Sequence, residues 1–540
     1  MELNLLDHFP KGFKPNKAQV HILNEVSKAI ELGKKYIIIE APTATGKSFI
    51  AKTLANCSDE PSEEFINAVN SYKAFEPEAD FEPCRFGTAV LTVTKSLQDQ
   101  YSSMFEDGSV MKGKSNYPCA VDDLYGCEAG ICSFEKNQKK RCIAGNLCPY
   151  FKARNKTVLN KCAFYSYAMF ESLNSDLVKL KQFIVCDEAS EIESELVSRY
   201  TFEFDIKDLK SIDKDIPLPP DADSTNIDFY MWISNCQQYV MLAYEDFIKE
   251  LGEKYNKGKK GLSKENTKKL SILSRYKENI AKLIDCWKGT EYIITKESTN
   301  VLFQPYNVDN LAQNIFKYGE VIILMSATIV NHKKFAENLG IKDYYYIEAE
   351  TSLDPKKAPI KCCNKFYLNF KNKRTVLPKM IEVADTICKQ YKKDKGIIHT
   401  HSMDILNEIK NRFDDERFLF REQGMNNEKI LEVHENTDEP TVLVSPSMTH
   451  GIDLKGDLGK FQIIMKAPYL PLGDERVKRK FNEDKEWYLD AMLSTLIQMC
   501  GRCNRCESDY SVTYILDSNI LNAVLKNKDK LPKYFIERFD

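Results

Sequence analysis

Residues 41–48, APTATGKS, set a glycine, a lysine and a hydroxyl in the order that phosphate binding requires. Gly46 lets the backbone turn its N–H groups toward phosphate oxygens at a helix N-terminus, where the dipole also favours an anion. Lys47 has the reach to the β- and γ-phosphates of a nucleotide, and Ser48 offers a hydroxyl to Mg2+. The phosphate-loop pattern G-x-x-x-x-G-K-S/T is met except that Ala41 takes the place of the first glycine. Thr43, Ala44 and Thr45 complete the loop. Asp187 and Glu188 supply the complementary pair: one carboxylate can hold Mg2+ through water, the other can orient and polarise the attacking water. Arg502 and Arg505, in QMCGRCNR at 498–505, share a helix face and can stabilise charge on a transferring phosphoryl group. They lie far from Lys47 in sequence, so these groups can meet only in a cleft between two units. Nucleotide binding would close that cleft and hydrolysis would open it.

The elements that must position these groups are legible around them. YIIIE at 36–40 is a β-branched apolar run suited to a buried parallel strand, and FIAKTLA continues from the loop at helical spacing. TAVLTVT (88–94), FIVCDEA (183–189) and VIILMSATIV (321–330) repeat the strand character. GIIHTHS (396–402), TVLVSPS (441–447), FQIIMKAP (461–468) and VTYILD (512–517) form a second series. Strands alternating with helices predict parallel sheets whose ligands bind at the carboxyl ends of the strands. Residues 58–85 are acidic and read as a surface insertion, and 196–300 as a helical one. In the latter, Tyr, Leu and Ile line one face of two long helical patterns at 229–251 and 267–287. The fold class expected is α/β, with two lobes and two insertions in the first.

The chain has 540 residues, enough for several units. With 43% hydrophobic and 29% charged residues it can bury real cores, which excludes wholesale disorder. Its formal charge is only -3, so a nucleic-acid surface has to be a local patch. The N-terminus MELNLLDHFPKGFK lacks the features of a signal peptide, and no apolar run reaches the length of a membrane span. The expectation is therefore a protein acting in the cytoplasm, with no membrane contact.

Six of the seventeen cysteines (Cys119, Cys127, Cys132, Cys142, Cys148 and Cys162) crowd into one stretch. Without an export signal they read as thiols or metal ligands rather than disulfides. Four could hold an iron–sulfur cluster, and a zinc site built from four cysteines is the competing reading. Cys162 lies in a strand pattern and reads as core. Cys500, Cys503 and Cys506 would drift around a helix face, so they read as packing rather than as a second metal site. Residues 133–161 carry eight Lys/Arg and one Glu with Phe134, Tyr150 and Phe151 interleaved, which suits a single nucleic-acid strand.

Taken in order, APTATGKS, TVTKSLQDQ, VCDEAS, LMSATI, SPSMTHGIDLKGD and QMCGRCNR resemble the motifs of superfamily 2 helicases. KGKSNYPC, CPYFKAR and FYSYAMF narrow the resemblance to the XPD/DinG group of iron–sulfur helicases, over almost the whole chain. It implies a 5′→3′ DNA helicase driven by ATP and Mg2+, tracking along single-stranded DNA and opening forked or bubble substrates, with DNA repair as the associated process. It further implies two RecA-like lobes, with a small iron–sulfur domain and a helical Arch domain inserted in the first. The boundaries expected are lobe 1 at 1–110, 166–195 and 301–330, the cluster domain at 111–165, the Arch at 196–300, and lobe 2 at 331–540.

Carried over by position, the resemblance gives Lys47 and Ser48 to phosphate and Mg2+, and Asp187 and Glu188 to metal and water. Gln498, Arg502 and Arg505 complete the ATP site, and Gln19 in PNKAQ contacts adenine. Ser326 and Thr328 couple hydrolysis to lobe movement, and Gly451 and Asp453 link nucleotide to DNA. Cys119, Cys142 and Cys148 become cluster ligands with Cys132 as the fourth, chosen over Cys127, and Lys152 and Arg154 become DNA contacts. Two departures stand out. Ala44 replaces a glycine, and Ser190 replaces the histidine that follows the acidic pair. They keep open an alternative, a non-unwinding nucleic-acid-binding protein or a single-strand translocase with a weakened ATP site.

Overall fold

The structure is a computed structural model that describes residues 3–539 except 43–44, 76–81, 122–125, 134, 145, 174, 257–262, 352, 422–426, 447–453, 455 and 505–508. Thr43, Ala44, Gly451, Asp453 and Arg505 of the expected site lie outside the described residues.

Two parallel sheets organise the chain. The first has seven strands in the order Tyr345–Glu348, Tyr36–Glu40, Gly319–Ser326, Lys181–Asp187, Thr88–Thr92, Cys162–Ser166 and Ser109–Val110. All its pairings are parallel. Its central strands are apolar on both faces because helices cover both, and Ile37, Ile38, Ile39, Val185 and Ile323 are fully buried. The register sets Glu40 opposite Ser326 and Asp187 opposite Met325, so the loops following three neighbouring strands leave the sheet at one level. That edge is where an open α/β sheet binds ligands.

The second sheet orders six strands as Ile360–Phe366, Val512–Asp517, Phe461–Ile464, Gly396–His399, Val442–Ser445 and Phe418–Phe420, again all parallel. The α/β class with two parallel-sheet lobes is thus present. Every strand read from an apolar run is found. Edge strands such as Tyr345–Glu348 and Phe418–Phe420 are short and half-buried, and carry too weak a pattern to be read.

Between the strands Lys181–Asp187 and Gly319–Ser326 the chain makes its largest excursion. Helices Asn226–Asn256 and Lys264–Cys286 pack together, as their one-sided apolar patterns require. They rest on an unanticipated antiparallel sheet of Phe202–Asp205, Asn300–Pro305 and Tyr292–Lys296. FEFD and NVLFQP alternate buried and less buried residues over only four to six positions, too short a pattern to stand out, so the first was read within the helical insertion and the second almost wholly within lobe 1. No helix among the described residues is long and apolar enough to cross a membrane.

Candidate active site

The phosphate loop leaves the buried strand Tyr36–Glu40 and enters the helix Lys47–Cys57 through Gly46, which has φ 74° and ψ 48°. That left-handed conformation favours glycine, and a Cβ at Gly46 would also stand 2.4 Å from Gln19 Nε2. Gln19 Nε2 donates to Gly46 O at 3.3 Å, while its Oε1 accepts from Asn16 N at 2.9 Å. Asn16 Nδ2 in turn donates to Thr45 O at 3.3 Å. The capping box of the helix Lys17–Glu31 thereby braces the loop from behind, a role for Asn16 that the motif pattern gave no sign of. Gln19, expected at the adenine, spends both ends of its amide inside the protein. Lys47 Nζ rests on Ala41 O at 3.3 Å.

Facing the loop, Asp187 is 4% exposed at the end of its strand. Burial and the neighbouring Glu188 raise its pKa, while Lys47, the Tyr101 hydroxyl and the Glu188 N–H favour the carboxylate. Tyr101 Oη donates to Asp187 Oδ2 at 2.9 Å and also interacts with Ser48. The fully buried Tyr101 therefore ties the loop hydroxyl to the carboxylate. It directly follows TVTKSLQDQ, and its one sequence signal was its place beside Gln98 on the buried face of the helix Lys95–Met104. Glu188 sits at φ 50°, a strained conformation for a residue with a side chain and one that recurs at functional turns.

Ser190 resolves the departure seen in the sequence. Its Oγ accepts from Gln498 Nε2 of the second lobe at 2.8 Å and bonds Ser326 Oγ of the first lobe at 2.9 Å. One hydroxyl thus joins the acidic turn, the end of the strand Gly319–Ser326 and the arginine-bearing segment. Gln498 lies in the last turn of the helix Lys485–Cys500, and Arg502, two residues past the helix end, is 8% exposed. Lys47, Ser48, Asp187 and Glu188 are brought to one place, and Gln498 reaches it from the other lobe. Ser326 and Thr328 are fully buried at the same edge.

The cysteines also converge. Cys127 Sγ lies 3.7 Å from Cys148 Sγ, and a Cβ on Gly130 would touch Cys119 Sγ at 3.3 Å and Cys132 Sγ at 3.6 Å. Cys132 stands within electrostatic range of Cys148, Cys119 and Cys142. Five thiols thus surround one small region, with the close-packed Gly130 at its wall. Among the described residues no three ligating side chains gather within reach of a single metal ion. Cys162 is buried in its strand, as expected of core. Of the two basic residues expected at DNA, Lys152 is exposed but Arg154 is only 4% exposed. The Arg154 guanidinium lies 3.4 Å from the Phe75 ring centroid and 4.9 Å from that of Phe151, and donates to Asn155. The guanidinium thus stacks on rings from the segment Lys73–Phe75 and from its own helix, so Arg154 acts in packing.

Residues 385–537 match the helicase C-terminal domain family. A probable ATP-dependent helicase of Methanocaldococcus jannaschii is 22% identical, aligned over 96% of this chain and 93% of its own length. An XPD helicase structure superposes with a TM-score of 0.62 at 15% identity, covering 96% of this chain and 98% of the other. Xpd4 of S. tokodaii gives 0.53 at 14%, with 97% and 99% covered. At these identities the likeness is one of fold: with its two parallel-sheet α/β lobes, this chain has the fold of the XPD helicase structures.

Proposed function

We propose that the protein is an ATP-dependent DNA helicase that translocates 5′→3′ along single-stranded DNA. The observation that carries this reading is the meeting of Ser190, Ser326 and Gln498 across the lobe boundary, beside Lys47 and Asp187. Hydrolysis there is felt by both lobes at once. Lys47 and the loop N–H groups would hold the phosphates, and Ser48 and Asp187 would hold Mg2+. Glu188 orients the attacking water, and Gln498, Arg502 and Arg505 close over the phosphate from lobe 2. Gln19 and Thr45 shape the loop bordering the nucleotide. Asp453 and Gly451 carry the state of the site toward DNA.

The five convergent thiols fit a 4Fe–4S cluster better than a single zinc ion, because a four-iron cluster spans more widely spaced thiolates. Cys119, Cys132, Cys142 and Cys148 would hold it, with Cys127 the remaining neighbour. Bound, it would cross-link segments that have little apolar core of their own. Forked or bubble DNA is the duplex expected to be opened, with Lys152 on the path of the strand.

The test is ATP turnover by purified protein with and without single-stranded DNA, and unwinding of duplexes bearing one 5′ or one 3′ overhang. DNA-stimulated turnover that Lys47→Ala abolishes, with unwinding from the 5′ overhang alone, is expected. Turnover unchanged by Lys47→Ala would sink the motor, and unwinding from the 3′ overhang alone would sink the polarity.

A further inference from the structure

The helix Lys485–Cys500 delivers Gln498 and Arg502 to the nucleotide from its C-terminal end. Its N-terminal end is held quite differently. Glu193, in the helix Ile192–Arg199 just past the acidic turn, takes three donors from lobe 2. Its Oε1 accepts from Arg476 Nη2 at 2.5 Å and Lys480 Nζ at 3.0 Å, and its Oε2 from Trp487 Nε1 at 3.0 Å. Arg476, Lys480 and Trp487 are all under 8% exposed. Arg476 Nε also donates to Pro305 O and Tyr306 O. Around this cluster Gln304 bonds Asp474, Arg479 pairs with Glu291, and Lys334 pairs with Asp484 at the helix N-cap.

The two ends of the helix therefore differ in what separation would cost. Pulling Glu193 from its partners would break three hydrogen bonds at once, two of them between opposite charges and largely shielded from solvent, which is far costlier than losing one neutral bond. At the other end Gln498 and Ser190 share a neutral hydrogen bond, of a kind weak enough to be made and broken in each cycle. Burial alone would raise the pKa of Glu193, yet Lys480, Arg476 and Trp487 hold it down at about 2, so the carboxylate stays charged at neutral pH.

We infer that Glu193, gripped by Arg476, Lys480 and Trp487, is the fixed pivot about which lobe 2 swings to bring Arg502 onto the nucleotide. Sixteen residues make a lever of about 24 Å, so a rotation of about 5° at the pivot moves Arg502 by about 2 Å. Misplacement by about 1 Å can cost about 100-fold in rate, so Glu193 is a positioning residue that acts through Arg502.

This inference rests on the ATPase reading above, and its test has one arm that needs no hydrolysis. Tryptophans are replaced by 5-fluorotryptophan, and the Trp487 resonance is assigned by its loss in Trp487→Phe or by its shift in Glu193→Gln. On adding a non-hydrolysable ATP analogue at saturation, the Trp487 fluorine resonance should stay in place. A shift as large as that produced by Glu193→Gln would mean that the contact opens, and would overturn the pivot. In the second arm, Glu193→Gln should lower kcat about tenfold or more with the KM for ATP within about threefold. The same change in an Arg502→Ala background should add little. Equal losses in both backgrounds, or no loss in either, would also overturn it. Absence of turnover in the unsubstituted chain strikes the ATPase reading instead, leaving the fluorine arm to decide the pivot.

Discussion

Asp187 is buried beside a second carboxylate, and the Tyr101 hydroxyl is one of few groups that favour its charged, metal-ready form. Tyr101→Phe removes that donor without opening a cavity. A partner of this kind typically contributes 10- to 100-fold to metal affinity, so the Mg2+ concentration for half-maximal ATPase should rise about tenfold or more. An unchanged Mg2+ titration would show that the hydroxyl only packs. Ser190 tests the boundary between lobes. Ser190→Ala leaves the buried Gln498 amide without its acceptor, at a cost of about 1–3 kcal/mol in the closed arrangement. DNA-stimulated kcat should fall about tenfold or more with ATP affinity nearly intact, and Ser190→Thr should restore much of it. Equal activity in all three would mean that the lobes communicate elsewhere.

At the scale of elements, the sequence announces what is local and hides what is assembled. The phosphate loop was legible because strand, Gly46, Lys47 and helix are contiguous, and the acidic turn because it ends an apolar run. Ser190 looked like a loss because its partners, Ser326 and Gln498, lie 136 and 308 residues away. Glu193 carried no motif at all, since its three donors come from the far end of the chain. Arg154 was misread because composition cannot tell a cation facing solvent from one stacked on Phe75. The cysteine segment sits between these cases: its crowding was visible, and its choice of ligands was not. Cys127 Sγ already donates to Pro118 O at 3.0 Å, which favours leaving it outside a cluster. Protein purified without oxygen should absorb broadly near about 400 nm, the region of sulfur-to-iron charge transfer, with about four irons per chain. Cys132→Ser should bleach it and Cys127→Ser should not. The reverse pattern would exchange the fourth ligand, and zinc without iron would remove the cluster while sparing the motor.

Across the whole molecule, individual buried groups answer acid in opposite senses. Lobe 2 buries histidines: burial pushes His399 down to about 4, opposed by Gln462 and reinforced by Arg502 and His401. His401 and His434 are lowered too, again chiefly by burial. A histidine whose folded pKa lies below its ordinary 6.5 stabilises the fold above 6.5, and that stability drains away as pH falls toward the folded value. At pH 5 the loss from His399 alone is about 2 kcal/mol. In lobe 1, burial lifts Glu40 from 4.5 to about 7, so acidification through that range relieves the cost of its buried charge. Glu193, held at about 2 against an ordinary 4.5, keeps the lobes joined until the pH drops below 4.5. Between pH 8 and 5, then, the strands around His399 should loosen while the strand that carries Glu40 and the Glu193 link hold. Hydrogen exchange across the strands Gly396–His399 and Phe461–Ile464 should accelerate at pH 5, after correction for intrinsic rates, with little change across Tyr36–Glu40. His399→Gln should flatten the pH dependence of the melting temperature, whatever it does to stability at pH 8. If that variant loses as much stability between pH 8 and 5 as the unsubstituted chain does, the acid sensitivity lies elsewhere than in the buried imidazole.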